Sequence, residues 1–278
     1  MPELPDVEVF KRIFEASALK KRITRVTVFD HRILADTSTS ELRAALEGNR
    51  FEEARRIGKN LLVRRSGGSW LVFHFGMTGF FKAFEDLAQD PDHDSVRFDF
   101  EDGLHLAYDS TRKLGEIRLV QSLESFVQAK GLGADPLDPE LTADRFVERI
   151  FTRRGKIKTR LMRQDVVAGI GNIYSDEILY QAGIHPQTPV QDLTRTELVR
   201  LYQAMHKVIK DAVNCGADPE RLPDRFLIPQ RRPGGRCPRC STELEVVELS
   251  GRRGYACPSC QPRPEKGLGW VAGSASPA

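Results

Sequence analysis

Two periodicities divide the chain. Near the N-terminus, Val7, Phe10, Ile13 and Phe14 fall near helical spacing after Pro5, a residue suited to a first helical turn. Beyond residue 20 the runs become alternating or continuously apolar: RITRVTVF, FEEARRI, LLVRR, WLVFHF, FKAF, VRFDF, LHLAY and EIRLV. Turn signals such as Ser66-Gly67-Gly68 and Glu101-Asp102-Gly103 separate them. These runs predict a β-rich domain, a sandwich, with marginal helices around 38–48 and 123–130. The stretch GLGADPLDP (131–139) reads as a linker.

Helical spacing returns near 142–151, 156–163, 172–182 and 194–214, interrupted by Gly169, Gly171 and the His185-Pro186 step. From Cys215 to Arg236 the chain is rich in proline and arginine and predicts irregular structure. LEVVEL followed by GYAC predicts a hairpin. After Gln261 only Leu268, Trp270 and Val271 are core-type residues, so a disordered tail is expected there. No internal repeat is visible. The fold class expected is multidomain α+β.

Composition narrows the function. The 278 residues suit roughly two domains. Hydrophobic residues are 40%, charged residues 29% and mean hydropathy −0.39, a soluble globular balance. No run approaches the ~18–20 apolar residues of a membrane helix. The start, MPELPDVEVF, has neither a basic n-region nor an apolar h-region. It therefore excludes a secretory signal and predicts a cytoplasmic protein.

The net charge is only +3, but it is segregated. Residues 85–109 hold nine acids against Arg97 alone, whereas 151–172 hold six bases against Asp165, and 221–266 ten bases against five acids. Basic middle and C-terminal parts point to a polyanionic partner. A merely solvated charged surface is the competing reading.

Four of the five cysteines form Cys237-x2-Cys240 and Cys257-x2-Cys260, with Cys215 apart. In a cytosolic chain these are not expected to be disulfides. Two CxxC turns, brought together by the intervening hairpin, can present four thiolates to one tetrahedral zinc ion with no open position. The ion would be structural. Arg236, Arg239, Arg252 and Arg253 decorate this unit, a common way to reach a DNA groove.

The N-terminus carries a second chemical possibility. If Met1 is removed, Pro2 presents a secondary amine that condenses with an aldehyde sugar to an iminium, an electron sink for elimination. An α-amino group titrates near ~8, so part of it is unprotonated at neutral pH. The adjacent Glu3 could move protons. Most chains beginning Met-Pro use the proline for nothing chemical.

Five separated motifs occur in order: MPELPDVE, GKNLL (58–62), HFGMTG (74–79), QDVVAGIGNIYSDE (164–177) and the four-cysteine unit ending CPSCQ. Through them the chain resembles the formamidopyrimidine-DNA glycosylase / endonuclease VIII family of base-excision repair enzymes, over about residues 2–261. The resemblance implies a bifunctional DNA glycosylase and abasic-site lyase acting on damaged double-stranded DNA. It also implies an N-terminal catalytic β-sandwich with flanking helices (1–133), a helix–two-turns–helix domain (134–220) and a zinc finger (221–263) holding one structural zinc. Residues 264–278 would be the tail, and the enzyme a cytoplasmic, nucleoid-associated monomer.

Residue by residue, the resemblance makes Pro2 the nucleophile, Glu3 the acid/base carboxylate and Lys59 the β-hairpin lysine that holds the phosphate beside the lesion and assists chemistry. It assigns His74 to the DNA backbone, Met77 to the gap left by the extruded base, and Lys158, Asn172 and Arg252 to phosphates, with Arg253 as the alternative to Arg252. Lys158 is expected on a basic face. The GIGN glycines let the backbone turn, and Asn172 is expected to cap the next helix. Cys237, Cys240, Cys257 and Cys260 are the metal ligands.

Three departures stand out. Asp6 replaces the usual glutamate, one methylene shorter. The family's D-P-R-R-F-G loop reads Asp109-Ser110-Thr111-Arg112-Lys113-Leu114-Gly115, one residue longer. In it Arg112 remains able to pair with the orphan base, and leucine stands at the aromatic wedge. The segment between Cys215 and Cys237 does not match the lesion-capping loop of the 8-oxoguanine enzymes. Leu4 in PELPD points to the formamidopyrimidine branch and hence to oxidised purines. Oxidised pyrimidines, or non-catalytic binding of damaged DNA, are the alternatives.

Overall fold

The computed structural model describes residues 1–264; the expected tail lies outside the described residues from 265 onward. The chain divides into two compact units, Met1–Leu132 and a second beginning at Gly133.

In the first unit the eight predicted runs become eight strands: β1 (Ile23–Val28), β2 (Phe51–Ile57), β3 (Asn60–Arg65), β4 (Trp70–His74), β5 (Gly79–Phe84), β6 (Asp94–Phe100), β7 (His105–Ser110) and β8 (Glu116–Val120). They form two antiparallel sheets, ordered β1-β6-β7-β5 and β2-β3-β4-β8. Both sheets contribute to one core rich in aromatic rings: Phe51 and Phe73 from one, Phe81, Phe98 and Tyr108 from the other, with Phe14 of helix α1 (Leu4–Ala18). Ring centroids lie 5.0 Å (Phe14–Phe51) to 6.1 Å (Phe73–Tyr108) apart, the spacing of tilted and offset aromatic pairs. LLV and WLVF do not alternate because both faces of their sheet are covered. Leu61, Val63, Leu71 and Phe73 enter the core, while Leu62, Trp70 and Val72 meet Phe126 of α3 (Leu123–Lys130) on the other face. Helix α2 is Thr39–Leu46, opened by a capping box between Ser38 and Glu41.

The second unit holds α4 (Ala143–Phe151), α5 (Ile157–Leu161), α6 (Asn172–Ala182) and α7 (Arg195–Asn214), then the hairpin β9 (Glu245–Leu249) and β10 (Arg252–Ala256). Ser250 and Gly251, at φ 52° and 70°, make the two-residue hairpin turn. Between α7 and Cys237 the chain makes only short single turns, at Pro219–Arg221 and Ile228–Gln230, as the irregular composition predicts. The expected linker is partly tied down: Gly133 N–H donates to the Gln164 carbonyl at 2.7 Å and Ala168 N–H to Ala134 at 2.9 Å. A Cβ on Gly133 would lie 2.5 Å from the Val166 carbonyl oxygen, so this approach requires glycine.

Helix α6 breaks the amphipathic rule. Asp176 and Glu177, adjacent carboxyl residues, are both 0% exposed. Buried carboxylates persist only with partners, and those partners organise the second unit.

Candidate active site and nucleic-acid interface

Helix α1 begins at the candidate nucleophile. Glu3 is its N-cap, and a reciprocal capping box holds it. The Glu3 carboxylate accepts the Asp6 N–H, and Asp6 Oδ2 accepts the Glu3 N–H at 2.8 Å. The shorter aspartate therefore reaches the backbone beside Pro2. Glu3 is 1% exposed, whereas Pro2 is half-buried and Met1 exposed. Burial pushes the Asp6 carboxyl up to about 6; the Glu3 N–H opposes this and the Glu3 charge adds to it.

Lys59 occupies the two-residue turn between β2 and β3, where Ile57 pairs with Asn60 and Gly58 has φ +57°. The turn is braced from α1. Arg56, nearly buried, donates from Nε to Glu8 Oε2 at 2.8 Å and from Nη1 to the Gly58 carbonyl at 3.1 Å. Neither Arg56 nor Glu8 carries a sequence signal; both lie in ordinary strand and helix patterns.

His74 ends β4, paired with Asn60 on one side and Glu116 on the other. Burial lowers its pKa; Glu116 opposes this, and the charges of Lys59 and Lys130 reinforce it. Its Nδ1 accepts the Gly76 N–H at 3.3 Å, so in the neutral ring Nε2 is the donating nitrogen. The next turn exposes Met77, and the loop after β7 exposes Arg112 and Leu114 (58% exposed). The structure brings these together. Arg112 N–H donates to Thr78 Oγ1 at 3.0 Å, and Arg112 Nη1 lies 3.5 Å from Met77 Sδ.

In the second unit two expectations are corrected. Lys158 does not lie on an exposed basic face. It is 1% exposed, and Nζ lies 2.5 Å from Asp176 Oδ1. The reason is the buried Asp176 carboxylate, which gathers cations and donors. Its Oδ2 also accepts Arg231 Nη2 at 2.7 Å and Nε at 3.0 Å, and Tyr255 N–H at 3.1 Å. Gly254 lets β10 pass over this pair: a Cβ there would lie 2.2 Å from Lys158 Nζ. Nor does Asn172 cap α6. Gly171 is the N-cap, and Asn172 is the first helical residue, with its Nδ2 donating to the Arg253 carbonyl at 2.8 Å. Its side chain is drawn off the helix axis by the hairpin. Asn172 Oδ1 is buried without a hydrogen-bond partner.

Arg252 and Arg253 are both exposed beside the hairpin turn, Arg252 with Nη1 3.8 Å from Met162 Sδ. Arg239 instead folds back onto α6, with Cζ 4.3 Å from the Tyr180 ring centroid and Nη2 2.6 Å from Gln181 Oε1. Asp176, Glu177, Arg231 and Gln261 are structural residues that periodicity does not reveal. The one available signal is a run of polar residues, Ser175-Asp176-Glu177, inside a glycine-opened helix.

The four clustered cysteines can hold a metal ion. Their sulfurs all lie within 4.8 Å of one another, with Cys237–Cys260 at 3.8 Å, Cys240–Cys257 at 3.5 Å and Cys240–Cys260 at 3.6 Å. Metal–sulfur bonds of ~2.3 Å in a tetrahedron place sulfurs about 3.8 Å apart. A disulfide needs ~2.05 Å. Backbone N–H groups of Arg239 and Cys260 donate to Cys237 and Cys257 sulfur, at 3.4 and 3.3 Å. The site is keyed to the helices. Gln261 is 0% exposed and bridges Cys257 N–H (3.0 Å) to the Ile184 carbonyl (2.8 Å), and His185 Nε2 lies 2.9 Å from Glu245 Oε1. Among the described residues no helix is long and apolar enough to cross a membrane.

Known proteins resemble this chain in sequence and in fold. Residues 1–117 match the formamidopyrimidine-DNA glycosylase N-terminal domain, and residues 132–223 the formamidopyrimidine-DNA glycosylase H2TH domain. The chain is 33% identical over 271 residues to the formamidopyrimidine-DNA glycosylase of Chloroflexus aggregans, covering 94% of this chain and 98% of that one. A Lactococcus lactis Fpg variant in complex with Fapy-dG-containing DNA superposes with TM-score 0.86 at 28% identity, over 94% of this chain and all of the other. Lactococcus lactis Fpg bound non-covalently to abasic-site DNA gives 0.86 at 27%, with the same coverage. Matched domains along most of its length and a relative of nearly equal length at one-third identity make this chain a member of the formamidopyrimidine-DNA glycosylase family.

Proposed function

We propose that the protein is a base-excision repair enzyme that removes oxidised purines, chiefly formamidopyrimidines, from duplex DNA and then cleaves the abasic strand. The observation that carries this reading is the capped start of α1, where a buried carboxylate, Glu3, is fixed by Asp6 next to Pro2. Removal of Met1 frees the Pro2 nitrogen. That nitrogen attacks C1′ of the damaged nucleotide, and the base leaves with a proton. Opening of the sugar yields the Pro2 iminium. Loss of the C2′ proton expels the 3′ phosphate (β-elimination), and a second loss expels the 5′ phosphate (δ-elimination). Glu3 relays these protons in this reading. Lys59 holds the adjacent phosphate, and His74 donates from Nε2 to the backbone. Met77, Arg112 and Leu114 occupy the space of the extruded nucleotide and face the orphan base. Asn172 and Arg252 hold phosphates, which positions the DNA without reading its sequence.

Zinc is the ion proposed for the four thiolates, one per chain and structural: bound, it closes the hairpin and fixes Arg252 on it. The setting of such an enzyme is the cytoplasmic nucleoid. The segment after α7 is pinned at Arg225 to Asp211, at Ile228 N–H to Glu177 (2.9 Å) and at Arg231 to Asp176. A pinned segment makes a poor lid over a flipped base. Abasic sites and formamidopyrimidines, already poorly stacked, are therefore processed faster than 8-oxoguanine.

The test is borohydride trapping on an abasic duplex. A covalent adduct is expected, lost in Pro2→Gly and lost when a tag precedes Pro2. Full trapping with a blocked N-terminus sinks the reading. Single-turnover rates on matched duplexes test the lesion order. Fastest removal of 8-oxoguanine refutes it, and removal of oxidised pyrimidines alone moves the enzyme to the other branch.

A further inference from the structure

The loop between β7 and β8 contains one residue more than the pattern it resembles, and its side chains part in opposite directions. Arg112 and Leu114 are exposed, whereas Lys113 between them is half-buried. A lysine in a loop facing DNA would ordinarily be read as a phosphate contact. Here its ammonium is turned inward, to the His93 carbonyl at 2.5 Å, Ser95 Oγ at 2.9 Å and the Asp94 carbonyl at 3.3 Å. An ammonium has three N–H donors, so these three acceptors occupy all of them. Lys113 also sits at φ +51°, a left-handed conformation that non-glycine residues adopt only when surrounding contacts hold it.

The loop is wedged against the turn that carries Met77. A Cβ on Gly76 (φ +57°) would lie 2.4 Å from the Leu114 carbonyl carbon and oxygen. A Cβ on Gly115 would lie 1.8 Å from Tyr108 Oη, which itself donates to the His74 carbonyl at 3.0 Å. With Arg112 N–H on Thr78 Oγ1, the two loops form one interlocked piece on the end of the sheet. Ser110, at the base of the loop, accepts the Lys113 N–H at 3.2 Å. Only the stretch Thr111–Leu114 projects, and Lys113 is its tether to β6.

We infer that Lys113 is a positioning residue for strand opening: its inward anchor absorbs the extra residue of the loop and presents Arg112 and Leu114 together toward the duplex. This rests on the reading that the protein extrudes a damaged base. The anchor keeps the two probing side chains pre-organised, so the loop does not have to be ordered when the stack is broken. It follows that Lys113 matters where a stacked nucleotide must be displaced and matters little where no base is present to displace.

The experiment compares single-turnover base removal from a formamidopyrimidine duplex with strand cleavage at a pre-formed abasic site. Lys113→Met is expected to slow base removal on the order of tenfold or more, the scale on which a displaced positioning group costs rate. Abasic cleavage by the same variant should stay within about twofold, since unstacking costs least there. Lys113→Arg, which keeps a cationic donor, should retain most of the excision rate. Ser95→Ala, which removes one acceptor, should give a smaller loss in the same direction. Thermal melts of each variant separate this from unfolding. Parental excision by Lys113→Met overturns the inference, as does equal loss on both substrates. Failure of the parent protein to cleave abasic DNA or to be trapped by borohydride would instead remove the functional reading on which it rests.

Discussion

The first unit is packed around apolar rings, whereas the second adds a buried cluster of ionisable groups to an apolar core of its own that includes Phe146, Tyr180 and Phe226. In the sandwich the large fully buried side chains are Phe14, Phe51, Phe73, Phe75, Phe98 and Tyr108. In the second unit Lys158, Asp176 and Glu177 are buried as completely, and each is fixed by named partners on α6, β10 or the segment after α7. The contrast has a mechanical meaning. Apolar packing is non-directional and tolerates repacking, so it builds a scaffold. A buried charge is intolerant of a missing partner, so it specifies one arrangement of hairpin on helix. The proposed covalent chemistry is mounted on the first kind of structure and the proposed phosphate contact of the hairpin on the second.

The contrast breaks most sharply at the cysteines. Removal of the ion by chelation, or Cys257→Ser, should unfold the β9–β10 hairpin while leaving the sandwich transition in place. Structural zinc contributes about 10–16 kcal/mol in small domains. Circular dichroism and a metal assay should show two separable melts and loss of DNA binding, with Cys215→Ser leaving metal content unchanged. A single unaltered melt after complete metal removal counts against it.

Next come the cores themselves. Phe73→Ala should cost about 3–5 kcal/mol as a cavity. Asp176→Ala should cost a similar 3–5 kcal/mol because it removes the buried carboxylate that the Lys158 ammonium and the Arg231 guanidinium both face. The two losses differ in kind. Adding Lys158→Met to Asp176→Ala should recover part of the loss, while no second truncation rescues Phe73→Ala. Denaturant unfolding of the single and double variants measures the coupling, and strict additivity contradicts a paired-charge core.

A subtler test uses pH. Burial pushes the Glu177 carboxyl up to about 7, against the hydrogen bonds it accepts from Gln181 Nε2 (2.6 Å) and Ile228 N–H (2.9 Å). The folded protein therefore holds a proton that the unfolded chain releases near 4.5. This group's contribution is fully present below pH ~4.5 and is lost as pH rises through about 7, by up to a few kcal/mol. Glu177→Gln should flatten that part of the stability profile, between pH ~4.5 and about 7. An unchanged profile would show that the carboxyl is ionised throughout.

The smallest expected effect separates outward from inward arginines on the same metal unit. Arg252→Ala should reduce the slope of log binding constant against log salt by about one. Arg239→Ala, whose side chain lies on Tyr180, should leave that slope unchanged and lower stability instead. Equal slopes for both would mean that Arg252 is a surface charge only.

Much of this was legible along the chain. All eight sandwich strands and the principal helices follow from period and turn residues, because each buries a continuous face whose spacing is local. The clustering of the four cysteines was legible too, since CxxC spacing is itself the geometry of a two-thiolate turn. Lys158 was not. A lysine among arginines reads as a basic surface, and nothing within several residues announces that Asp176 will approach it from another helix. Asn172 was misplaced for the same reason: its side chain answers to Arg253, 81 residues away.

Sequence alone determined the elements, their order, the candidate nucleophile Pro2 with Glu3, and the four metal-type cysteines, because these are properties of short stretches. Tertiary structure decided which charged side chains face water and which are spent inward. Lys158 reads as a ligand for phosphate in the sequence, and in the fold it and Lys113 are each occupied by acceptors of the protein itself. The physical reason is that the free energy of a charge depends on what surrounds it. That surrounding is assembled from residues distant in sequence, whereas the spacing of apolar positions that forms a helix or strand is written locally.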